Sequence, residues 1–133
     1  MSMSWRDCIL VVDDDLDLLR AYQEALQLDG HSVVLARDGA EALRLLKQGL
    51  RPALILLDLL MPRVNAWEFR MRQRADPALA SIPVIVLYAL EVGAREMKAL
   101  EVEGFLQKPV DLDVLLRAVA PYMARGGWDA HPS

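Results

Sequence analysis

Five short, largely unbroken apolar runs, each followed by a segment with helical spacing, constrain this chain more than any other feature. The runs are Cys8–Val12, His31–Ala36, Ala53–Leu57, Pro83–Leu87 and Gly104–Leu106. Strands that alternate polar and apolar residues face water on one side. Strands that read as continuous apolar runs are covered on both faces, as in a parallel sheet between helical layers. The intervening segments supply those helices. Leu18, Leu19, Tyr22, Ala25 and Leu26 share one face of a first helix that Asp29-Gly30 ends, with Asp15 as its N-cap. A second helix spans Gly39 to Gln48, with Asp38 and Glu41 spaced as a capping box. A third runs from Ala66 to Ala75 and stops at Asp76-Pro77, and a fourth covers Ala94 to Val102. Leu112, Leu115, Leu116, Val119 and Met123 line a fifth, with Asp111 as its N-cap.

Strict alternation of strand and helix predicts an α/β fold, a doubly wound five-stranded parallel sheet with helices on both faces in three layers. The 133 residues suit one domain, expected over 1–125, with 126–133 as a C-terminal tail or linker. A 54% hydrophobic and 26% charged composition is that of a chain able to form a core. The net charge of −4 disfavours direct nucleic-acid binding, and nothing reads as a helix-turn-helix. No run approaches the length of a membrane span, and the first residues do not resemble a signal peptide, so a cytoplasmic location without membrane contact is expected. Cys8 is the single cysteine, set in an apolar run where a buried inert thiol is expected.

In such sheets ligands bind beyond the carboxyl ends of the strands. Asp13 and Asp14 follow the first strand, Asp58 follows the third and Lys108-Pro109 follows the fifth. Each has an ordinary reading by itself: a helix cap, a turn acid, a solvated lysine. Together they fall on one edge of the sheet. Two carboxylates ~4 Å apart repel by about 4 kcal/mol at an effective dielectric near 20. Lys108 answers only one of three acids, and a hard divalent cation with oxygen ligands, Mg²⁺, suits the remainder.

The stretches Ile9–Asp15, Leu57–Pro62, Pro83–Leu87 and Gly104–Pro109 resemble the receiver domains of two-component response regulators, over about Cys8 to Ala124. The resemblance implies a chemotaxis-regulator-like, flavodoxin-like fold with strand order 2-1-3-4-5. It implies Asp58 as phosphoacceptor, Mg²⁺ held by Asp13, Asp14, Asp58 and the backbone carbonyl of Leu60, and Lys108 as the phosphoryl-binding cation, with a cis bond to Pro109. Such a protein is a signalling switch rather than an enzyme with a turned-over substrate. Its expected partners are a sensor histidine kinase or phosphotransfer protein, and a downstream protein or output domain. The chain could be a stand-alone receiver or part of something longer.

Three positions depart from the family pattern. Tyr88 stands where a small Thr or Ser hydroxyl normally meets the phosphoryl group and makes room for the aromatic at Phe105. As a packing residue, Tyr88 would weaken or reroute the switch. Ala66 replaces a usual Gly, so a positive φ there would be strained, and Trp67 beside it is expected to pack on the loop after Asp58. The segment between Tyr88 and Phe105 is also about two residues short, which bears on the face of helices four and five. Two other functions are compatible with parts of the pattern. A haloacid-dehalogenase-like phosphatase would need a second acid at Leu60, which cannot move a proton. A degenerate receiver kept for protein docking would fit Tyr88, but not the full set of acids with Lys108.

Overall fold

The computed structural model describes residues 7–61, 63–89 and 93–124. The elements alternate as β1 (Ile9–Val12), α1 (Leu16–Leu28), β2 (Val33–Ala36), α2 (Gly39–Lys47), β3 (Leu54–Asp58), α3 (Ala66–Ala75), β4 (Val84–Tyr88), α4 (Ala94–Lys98), β5 (Gly104–Gln107) and α5 (Leu112–Ala124). All pairings are parallel and the order is β2-β1-β3-β4-β5, the doubly wound arrangement expected. The tail expected at 126–133 lies outside the described residues. No helix among the described residues is long and apolar enough to cross a membrane.

The central strands separate two cores because successive side chains point to opposite faces. Leu10, Val12, Ile55, Leu57 and Val86 pack with Leu46 of α2 and Phe69 of α3. Ile9, Val11, Leu54, Leu56 and Leu87 pack with Leu19 and Leu26 of α1 and Leu115 and Val119 of α5. Cys8 is fully buried, and burial lifts its thiol pKa to about 11, so it stays protonated and inert.

Helices α1 and α2 stop in the same way. Gly30 (φ 91) and Gly49 (φ 115) take the left-handed conformation just past each cap. His31 and Leu50 then donate backward to Leu26 and Leu45, closing Schellman motifs. His31 is thereby spent on ending α1, and β2 begins at Val33 rather than at His31. Asp15 caps α1 as expected, accepting from the Asp17 and Leu18 amides.

The capping box at α2 is only half formed. Asp38 accepts from the Glu41 amide, but Glu41 reaches past Asp38 to the Arg37 amide at 2.8 Å. Helix α4 ends at Lys98, short of Val102, because Leu100 turns into the core and Glu101 (φ 53) leaves the helical region. The expected strain at Ala66 does not arise. Asn65 caps α3 through the Glu68 amide, so Ala66 is the first helical residue, and the positive φ in that loop belongs to Arg63 (φ 67).

Candidate functional site

The geometry of the site follows from where strands end. Asp13 is the first residue past β1, and its amide extends the ladder by donating to Ala36 at 3.1 Å. Because α1 starts almost at once, the Asp15 amide folds back onto Asp13 Oδ1 at 2.9 Å, which fixes that carboxylate toward the sheet edge. Asp13 is fully buried, while Asp14 beside it is exposed. Asp58 is the last residue of β3 and only 6% exposed. On the far side, the Lys108 amide donates to Tyr88 at 2.6 Å, and the Lys108–Pro109 peptide is cis, as expected.

Lys108 closes the cluster. Its Nζ donates to Asp58 Oδ1 at 2.8 Å and to Asp13 Oδ2 at 3.2 Å. Asp13, Asp14 and Asp58 each offer a carboxylate oxygen, all within 4.8 Å of one another. One ammonium therefore serves two buried acids, with a third alongside. Burial pushes the Asp58 carboxyl up to about 6, against the pull of the Lys108 hydrogen bond and with further push from Asp13. Burial raises Asp13 too. Burial would lower Lys108, but its bonds and charge interactions with Asp58 and Asp13 win, so its ammonium is held more firmly than usual. For both buried acids the cost of burial outweighs what the Lys108 ammonium returns.

That donor set is all oxygen, compact and anionic, and it fits a hard divalent cation of the Mg²⁺ type. Leu60 lies two residues beyond Asp58 on the exposed rim. Tyr88 and Phe105 meet edge to face, ring centroids 6.1 Å apart at 86°, so the phenol packs against the strand-five aromatic. Trp67 does not pack on the loop after Asp58 alone, since its Nε1 reaches across to α4 and donates to the Glu96 carbonyl at 2.8 Å.

The response regulator receiver domain family matches residues 9–120. The chain belongs to that family. Response regulator MprA of Mycobacterium sp. (strain KMS) is 34% identical over 128 residues, covering 93% of this chain and 54% of that protein. The chain thus spans about half the length of the curated relatives it matches. Among solved structures, the chemotaxis protein CheY4 of Vibrio cholerae superposes with a TM-score of 0.78 at 28% identity, covering 88% of this chain and 98% of its own. A response regulator receiver protein from Pseudomonas putida gives 0.79 at 30% identity, covering 90% and 99%. Receiver domains typically bind Mg²⁺ through acidic residues and interact with histidine kinases or phosphotransfer proteins; this receiver has a cluster of three acids, Asp13, Asp14 and Asp58.

Sequence reasoning missed a second polar cluster. Arg70 (8% exposed) and Gln73 (fully buried) sit on the inward face of α3 with Ala66 and Phe69. The spacing i, i+3, i+4, i+7 put them on that face from the start. Their polar character obscured it.

Proposed function

We propose that this receiver takes a phosphoryl group onto Asp58 from the phosphohistidine of a sensor kinase or phosphotransfer protein. An Asp58 carboxylate oxygen forms the new bond to phosphorus as the bond from phosphorus to the donor's imidazole nitrogen breaks, and that nitrogen then takes up a proton. Asp13, Asp14, Asp58 and the Leu60 carbonyl would hold Mg²⁺, which supplies charge neutralisation for the phosphoryl oxygens. Lys108, already hydrogen-bonded to Asp58, would follow the incoming oxygens. The single observation that carries this reading is the one ammonium shared between two buried carboxylates, with a third carboxylate oxygen within 4.8 Å. Nothing in that arrangement supplies a proton-shuttling acid at Leu60, so the chain is proposed to act as a switch, not as a phosphatase of free substrates. A cytoplasmic place and a downstream protein or attached output domain complete the proposal.

A second reading has its own support. The edge-to-face pair of Tyr88 and Phe105 fills the space that a small hydroxyl would leave open, which favours a docking receiver with weakened switching. Intact-mass spectrometry after incubation with acetyl phosphate and Mg²⁺ separates the two. One phosphoryl adduct, lost in Asp58→Asn and in the presence of EDTA, is the expected result. No adduct from acetyl phosphate or from a phosphorylated kinase would leave the docking reading in its place.

A further inference from the structure

Helix α4 has little to hold it by itself. It is five residues long, none of them buried, and its N-cap, Gly93, offers no side-chain cap. A helix so short is unstable alone, because nucleation costs more than one turn of hydrogen bonds returns. What fixes it comes from α3. Trp67 Nε1 donates to the Glu96 carbonyl at 2.8 Å. Arg70 Nε donates to Leu100 at 2.9 Å, and its Nη2 donates to the Glu101 carbonyl. Arg74 pairs with the Glu101 carboxylate at 2.9 Å. Residues 67, 70 and 74 share one face of α3 at i, i+3 and i+7.

The carbonyls they serve belong to α4 and to the turn after it, some of which no helical amide would reach. Arg70 is itself braced. Its Nη1 donates to Gln73 Oε1 at 2.9 Å, and Gln73 Nε2 donates in turn to Leu79 and Ile82 at 3.0 and 2.9 Å. A buried guanidinium whose hydrogen-bond acceptors are all neutral is a costly way to fill space that an apolar side chain could occupy. Its fork, however, holds two consecutive carbonyls at once.

We propose that α3 clamps α4 and the turn into β5 through Trp67, Arg70 and Arg74, so that displacement of the α4 face requires Arg70 to release Leu100 and Glu101. The clamp is a property of the unphosphorylated chain. Only the force that would act against it rests on Asp58 being the phosphoacceptor.

Amide hydrogen exchange tests the clamp directly. The amides of Ala99, Leu100 and Glu101 bond to Arg95, Met97 and Lys98 within α4 and its turn. In Arg70→Met they are expected to exchange at least about tenfold faster, with β1 and β3 unchanged. Arg70→Lys, which keeps the charge but loses the fork, should fall between Met and wild type. Trp67→Phe, which keeps an aromatic ring and drops the donor, should accelerate the same amides several-fold and serves if Arg70→Met fails to fold. Addition of beryllofluoride with Mg²⁺ should then shift the amides of residues 93–103 further in Arg70→Met than in wild type. Unchanged exchange, exchange raised equally in the central strands, or a nonzero beryllofluoride response of equal size in both proteins would overturn the proposal. A complete lack of beryllofluoride response, with exchange altered as expected, would instead remove the phosphoacceptor reading and leave the clamp.

Discussion

Asp58 is held in a compromise. Its carboxylate accepts from Lys108 at 2.8 Å, yet its pKa is pushed up to about 6 because burial and Asp13 outweigh that bond. Without a divalent cation, the native state therefore binds more protons than the unfolded chain between about pH 4 and pH 6, and stability falls as pH rises through that window. Asp58→Asn is expected to gain on the order of 1–2 kcal/mol at pH 7, read as a higher urea midpoint in EDTA. The gain should shrink toward pH 4, where both forms are neutral. Asp13, Asp58 and Lys108 were legible in the sequence because each ends an apolar run, and strand ends in this topology share an edge. The partner of Trp67, 29 residues away, was not legible, because no local pattern records which carbonyl a distant turn will present.

At the scale of elements, caps were more readable than lengths. Asp15 and Asp111 accept from amides two residues on, as their positions suggested. Asn65, rather than any strain at Ala66, sets the start of α3, accepting from the Glu68 amide at 2.9 Å. Since Asn65 is exposed and neutral, Asn65→Ala should cost about 1 kcal/mol in urea unfolding with an unchanged slope, and Asn65→Asp should retain the cap. Helix α4 stops four residues before the Val102 that its apolar spacing suggests. Leu100 and Val102 prolong a helical-looking pattern, but the chain is claimed there by tertiary bonds from α3 and by the Glu103 amide, which donates to Val84 at 2.9 Å to lead into β5. Periodicity reports which side chains are apolar, and here packing with a neighbour decided where the helix stopped.

Over the whole molecule, the sheet order and both cores follow from the apolar runs. The proposed Mg²⁺ site follows from the acids they end on. A ligand that binds only the folded state stabilises it by mass action. Mg²⁺ at about a hundred times its dissociation constant should therefore add about 2.7 kcal/mol, seen as a raised melting temperature that EDTA reverses. Asp13→Asn, which removes a fully buried carboxylate from the cluster, should blunt that rise.

Lys108 stands 95 residues from Asp13 and 50 from Asp58 along the chain. A growing polypeptide would thus expose a pair of unneutralised acids well before their counter-ion is synthesised. Closing the final strand brings that counter-ion home, so the last parallel pairing carries an electrostatic reward as well as a hydrophobic one. Chains truncated before that strand should accordingly be the species most dependent on divalent ions to collapse.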